Sequence, residues 1–134
     1  MAYISWSDYT AGGGTVTVEA TFNELEYAAR AYLDKVTHRR ISYMSAVPEA
    51  VEMLMIELVN MESARRALID APALSSASND GVSESYAEPM TTARLDERRD
   101  QLVNEYLNGI EDDNGVLLLF AGVSYYDIIS QMVE

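Results

Sequence analysis

Apolar residues recur every three or four positions in three long stretches of this chain, and that spacing predicts three amphipathic helices. In the first, Phe22, Leu25, Ala28, Ala29, Tyr32, Leu33 and Val36 share one face. Its start is placed at Thr21, because Thr21 and Glu24 have the spacing of a capping box; it fades near Thr37. The second opens with Pro48, which suits a first helical turn because no amide partner is lost there. Val51, Leu54, Met55, Leu58, Val59 and Met61 then form a wide stripe, continued by Ala64 and Leu68 to about Asp70. Roughly 23 residues at 1.5 Å each give about 35 Å, close to the width of a small domain, so this helix is expected to be the central one. The third covers residues 92–108, with Thr91 or Thr92 as its cap, Leu95, Leu102, Val103, Tyr106 and Leu107 on its apolar side, and Gly109 as its stop. Ahead of all three, Tyr3, Trp6 and Tyr9 mark a short amphipathic stretch that Gly12, Gly13 and Gly14 end.

The pattern breaks in two places. Residues 71–91 are small and polar, with Pro72 and Pro89 at the ends. About twenty residues without helical spacing are unusual in a compact domain and often functional. Asn79-Asp80-Gly81 is a turn signal, and Val82, Glu84 and Tyr86 alternate with serines, so a small hairpin or an extended arm is expected. The second break follows Gly109. Glu111, Asp112 and Asp113 make an acidic turn before the apolar run 116–120, the best strand candidate in the chain. The tail then carries Tyr125, Tyr126, Ile128, Ile129, Met132 and Val133. So apolar a tail needs cover, either from its own domain or from another subunit, since chain termini are otherwise poorly ordered.

At 134 residues the chain is expected to be one domain, residues 1–134. An apolar content of 49% is globular rather than disordered. There is no cysteine for a disulfide or thiolate metal site, and no apolar run long enough to span a membrane. The start of the sequence lacks the pattern of a signal peptide, so a protein made and assembled inside a cell is the default. The net charge is −13, and residues 75–134 carry −9 of it, with three basic and twelve acidic groups. Such a chain does not grip nucleic acid, because that needs Lys and Arg to displace counterions; letting DNA pass without adhesion is compatible with it.

Chemistry is scarce. The glycine triplet is followed by Thr15 and Val16 instead of the Lys-Ser/Thr of a phosphate loop. The single histidine, His38, stands beside Arg39 and Arg40 at a helix end, where it suits the helix dipole. Neither Gly81 nor Gly115 lies in a loop with the carboxylates that calcium needs. The acid pairs Glu49/Glu52 and Asp96/Asp100 fall on polar helix faces and are expected to be solvated. No catalytic residue, cofactor site or metal site is assigned, and the chain is not expected to be an enzyme. Tyr27, Tyr32 and Tyr106 fit helix faces as core or interface residues, tyrosine having an apolar body and a wet tip.

Across most of its length the sequence resembles the head–tail connector family of long-tailed bacteriophages and prophages, also called head-completion or adaptor proteins. The residues that carry the likeness are Tyr3-Ile4-Ser5 with Asp8-Tyr9 at the start, and Ala29, Leu33-Asp34, Thr37 and Arg40-Ile41 at the end of the first long helix. They continue with Pro48 and Val51, then Ser78-Asn79-Asp80-Gly81 with Ser83, Ser85 and Tyr86, and finally Gly115, Leu117-Leu118 and Gly122-Val123. The family often has a basic residue near position 121, where this chain has Ala121.

The resemblance implies a mainly α fold: a small helical bundle, a long loop or β-hairpin between the second and third main helices, and a short C-terminal strand or tail. It implies a structural virion protein, made in the host bacterial cytoplasm, that forms a dodecameric ring below the portal. Its partners would be further copies of itself, the portal protein, and a downstream stopper or tail-completion protein, with DNA passing through unbound. On that basis Asn79, Asp80, Gly81, Tyr86, Phe120, Tyr125, Tyr126, Ile128, Ile129 and Met132 are expected at subunit or portal interfaces. Asp112 and Asp113 are expected to face the channel. Ending the chain after Gly122 is expected to leave a folded protein that fails to join heads. Two other readings compete: a tail-completion or stopper subunit, typically richer in β-structure, and an acidic DNA mimic that inhibits a nucleic-acid enzyme.

Overall fold

A computed structural model describes residues 2–70, 91–122 and 127–129. Helix α1 is Trp6–Ala11, α2 is Glu19–Val36, α3 is Glu49–Asp70 and α4 is Thr92–Leu107, with one 3-10 turn, Arg40–Tyr43, after α2. The mainly α class expected from the sequence is observed. Residues 71–90, with the expected hairpin and the candidates Asn79, Asp80, Gly81 and Tyr86, lie outside the described residues, as do Tyr125, Tyr126 and Met132.

The three long helices form the body. Arg66 near the end of α3 pairs with Glu24 near the start of α2, and Arg65 pairs with Asp96 near the start of α4. Helix α3 therefore runs antiparallel to both of its neighbours. Its Val51, Leu54, Met55, Leu58 and Val59 are buried against Phe22, Leu25 and Leu33 of α2 and Leu102, Val103 and Leu107 of α4. The apolar stripe stops at Met61, for Ala64 is exposed and Leu68 half-buried. At 22 residues, α3 spans about 33 Å and is the central element, as its length predicts.

The N-terminal arm closes one side. Trp6, Tyr9 and Phe22 form an aromatic cluster with centroids 4.8–6.0 Å apart. The Tyr9 hydroxyl donates to Asn60 Oδ1 at 2.5 Å and accepts from the Val16 amide at 3.0 Å. Asn60 Oδ1 also accepts from the Thr15 amide and hydroxyl. The chain passes so close to the Tyr9 ring at Gly14 that a Cβ there would strike it. Tyr3 donates its amide to the buried carboxylate of Glu26 at 2.9 Å, and Arg30 pairs with the same carboxylate at 3.1 Å.

Helix ends follow the expectation at Thr91 and Gly109 and depart from it at Thr21. The Ser5 hydroxyl caps α1 by accepting from the Asp8 amide. The Thr91 hydroxyl caps α4 by accepting from Arg94, and Gly109 leaves it with φ +82°, where a side chain would be strained. The Thr21–Glu24 box is not used. Helix α2 begins two residues earlier, after Val18, with no side-chain cap. The bonds that hold Thr15 and Val16 to Asn60 and Tyr9 set the entry of the chain, so Thr21 is already inside the helix, and Glu24 faces Arg66 instead.

The run 116–120 is not a strand. Among the described residues its only ladder-type pairing is a single antiparallel bridge, Glu111 to Leu117. Leu118 alone of the five is buried, while Leu117 and Phe120 are exposed. The physical reason lies in where the carbonyls of this segment go, which is also where the candidate site lies.

Candidate functional site

Immediately after α2 the backbone turns through two left-handed residues, His38 at φ 53° and Arg39 at φ 61°. This conformation is rare for residues with a side chain. It folds the 3-10 turn back, so that Arg40 enters the protein and is 2% exposed.

There the guanidinium collects the C-terminal segment. Nη1 donates to the carbonyls of Leu117, Leu118 and Phe120 at 3.1, 3.1 and 2.7 Å. Nη2 donates to the Gly122 carbonyl at 2.7 Å and to Asp127 Oδ2 at 2.8 Å. Nε reaches both oxygens of Asp127, at 3.0 and 3.2 Å. All three guanidinium nitrogens are engaged. The Asp127 side chain is 3% exposed, so the charges neutralise each other out of water. These carbonyls bond to a side chain instead of a neighbouring strand, which is why an apolar run with strand composition forms no ladder.

The acidic turn braces the segment from the other side. Asp112 Oδ1 accepts from the amides of Asn114 and Val116, both at 2.9 Å, in the manner of an Asx turn. Asp113 accepts from the Ser45 amide at 2.7 Å. Both expected channel-facing carboxylates thus have local structural partners. The cavity between this turn, His38 and Arg40 is about 10 Å³, room for about one water and nothing larger.

What the segment presents outward is apolar. Leu117, Phe120, Ile128 and Ile129 are 46%, 46%, 50% and 39% exposed. Three of these, Phe120, Ile128 and Ile129, are expected interface residues. Phe120 lies under the Arg40 guanidinium, 5.4 Å from centroid to charge. No Lys, Arg or His follows Arg99 in the sequence, so this surface has only acidic residues along its own stretch of chain.

A second polar cluster joins the three helices. Tyr32 donates its hydroxyl to Asp100, and Arg99 stacks over the Tyr32 ring at 3.9 Å. Asp96 pairs with Arg65 at 3.3 Å and Arg99 at 3.7 Å. Asp100 is exposed and Asp96 partly so, as expected of a polar face, and both also brace α4, against Tyr32 of α2 and Arg65 of α3. Burial and the Asp100 hydrogen bond push the Tyr32 hydroxyl up to about 12. Burial and the bond to Asp34 push the Tyr3 hydroxyl up as well. Of the three tyrosines expected at core or interface positions, Tyr32 and Tyr106 are half-buried, while Tyr27 is exposed with Arg30 over its ring.

Among the described residues no group of three or more His, Asp and Glu converges to hold a metal ion. None of the described helices is long and apolar enough to cross a membrane.

Arg40 and Asp127 are the residues that pattern reasoning passed over. Arg40 enters the resemblance without a role, and Asp127 does not enter at all. A signal did exist: Asp127 is the only charged residue in positions 114–133. A lone carboxylate in so apolar a stretch calls for a buried cation.

No family model matches the chain, and neither the curated proteins nor the solved structures give a match.

Proposed function

We propose that this chain is a head–tail connector subunit: a structural virion protein that forms a ring below the portal, extends the DNA channel and joins head to tail. One observation carries the reading. Two stretches that resemble the family, Ala29 to Ile41 and the closing segment around Leu117-Leu118 and Gly122, are far apart in sequence yet meet at Arg40. Every matched residue of the first has a packing or bonding role. Ala29, Leu33 and Ile41 are buried, Asp34 accepts from Tyr3, Thr37 bonds back to Leu33, and Arg40 holds the closing segment.

What this arrangement builds is a surface rather than a reaction centre: Phe120, Leu117 and Ile128 are held outward on a segment fixed from within. Aromatic and aliphatic groups presented by a fixed backbone suit protein docking, since little entropy is lost on contact. In a connector the docked protein is the portal or a neighbouring subunit in a dodecameric ring. The absence of basic residues after Arg99 suits a wall past which DNA slides. The mainly helical described chain counts against the tail-completion or stopper reading.

The test is electron microscopy of particles made after the gene is interrupted in the phage or prophage that carries it. Free tails beside heads that lack tails or have lost DNA are expected. Normal, infectious virions would overturn the reading, and co-purification with a nuclease would then favour the DNA-mimic alternative.

A further inference from the structure

We propose that residues 111–122 form a releasable strap whose folded position is set by Arg40 separately from the three long helices, so that the apolar surface is presented only while the guanidinium holds it. The purpose given to the surface rests on the docking reading above; the coupling of strap to Arg40 does not.

Among the described residues, Arg40 makes most of the hydrogen bonds that tie the strap to the body. The strap contains one isolated bridge, Glu111 to Leu117, and its local bonds close only its own turns: Asp112 with Val116, Gly115 to Asp112, and Phe120 to Leu117. Among the described residues its links to the body besides Arg40 are the Leu118 amide on the Ile110 carbonyl, the Asp113 contact to Ser45, the buried Leu118 side chain, which joins the core, and Leu119, packed half-buried against it. The helices contribute far more residues to that core, Val51, Leu54, Met55 and Leu58 among them, with α2 and α4. Segments with few buried apolar groups open locally at lower free energy than the core they lie on.

Arg40 is specific for this task. One planar group reaches four backbone carbonyls and a carboxylate across residues 117–127. A lysine has three donors at one point and cannot span that set. Arg40 is therefore a positioning residue: it does not belong to the outward surface, but decides whether the backbone beneath it is held. A partner that binds the closed strap also stabilises it, so strap closure and docking are thermodynamically linked.

The test is native-state hydrogen exchange on the full chain, following the Leu118, Val116 and Phe120 amides for the strap and those of Leu54 and Leu58 for α3. In the natural protein the strap amides are expected to exchange faster than those of α3. Arg40→Lys is expected to speed strap exchange by about tenfold or more while α3 changes by less than about threefold. Because Arg40→Lys leaves Asp127 without its fork, a second variant, Arg40→Met with Asp127→Leu, removes both charges and leaves no buried ion. It is expected to loosen the strap in the same way. If strap and α3 amides accelerate together in both variants, the molecule is one cooperative unit and the proposal is overturned. Strap protection unchanged in the double variant also overturns it, because Leu118 packing would then be sufficient. Neither result involves a virion, so failure here leaves the particle experiment to judge the connector reading on its own.

Discussion

Arg40 and Asp127 stand 87 positions apart and form a buried ion pair with an N···O distance of 2.8 Å, which fastens the C-terminal segment to the end of the first long helix. Neither charge has water to fall back on, and the remaining guanidinium hydrogens are taken by backbone carbonyls. The pair matters less for net attraction than for what its loss leaves behind.

Removing Asp127 alone strands a buried guanidinium. Asp127→Ala is expected to open the strap, which returns the guanidinium to water, so that strap amides exchange faster by about tenfold or more while the urea midpoint of the helical body shifts little. Ending the chain after Gly122 is expected to do the same, because it deletes Asp127. The helical body is expected to stay folded in both, in line with the sequence expectation for the truncated chain. Strap amides as well protected in the truncated chain as in the whole one would show that the pair is dispensable.

Point changes on the outer face separate docking from folding. Ile128 is half-exposed and its neighbour Asp127 keeps the clasp. Ile128→Ser is expected to shift stability by less than about 1 kcal/mol while reducing the joining of heads to tails in a complementation assay. Full complementation would remove Ile128 from the docking surface.

The turn that aims Arg40 is conformationally costly. A left-handed residue with a Cβ costs about 1–2 kcal/mol, and His38 sits in that region at φ 53°. His38→Gly is expected to leave stability unchanged or raise it by up to about 1 kcal/mol, whereas His38→Val lowers it by about 1–2 kcal/mol. Thermal unfolding of both variants decides it; equal losses in the two would mean that the histidine ring, not the backbone, is needed.

Two tyrosines make stability fall at high pH. Tyr32 is pushed up to about 12 by burial and by its hydrogen bond to Asp100. Tyr3 is raised by burial and by Asp34. A raised phenol favours the neutral form in the folded state, so the stability it contributes is present below the unfolded value near 10 and is lost as pH rises towards 12. Phenolate absorbance of the native protein is expected to include a late component that Tyr32→Phe diminishes. A late component unaltered by that change would place the raised groups elsewhere.

Substituting Asn60 tests the N-terminal arm. Its Oδ1 serves the Tyr9 hydroxyl and both polar groups of Thr15. Asn60→Ala leaves these donors without a partner and is expected to cost about 1–3 kcal/mol in a denaturant titration. A cost below about 0.5 kcal/mol would mean that water replaces the amide at no loss.

By itself the sequence determined the helical class and the position of each long helix. Helical periodicity is a local property: Phe22, Leu25 and Leu33, or Leu102, Val103 and Leu107, fall on one face because of the turn geometry alone. The Thr91 cap and the Gly109 stop are equally local, as is the scarcity of catalytic and metal-binding residue types. Tertiary structure decided the rest. Thr21 and Glu24 have capping-box spacing, yet the anchoring of Thr15 and Val16 starts the helix earlier. Asp96 and Asp100 sit on a polar face, but Arg65 and Tyr32 arrive there from other helices. The run 116–120 has the composition of a strand, but Arg40 takes its carbonyls from about eighty residues away. No spacing rule reaches that far, because a buried backbone acceptor can be satisfied by any donor that the fold delivers, and only the packed chain selects which one.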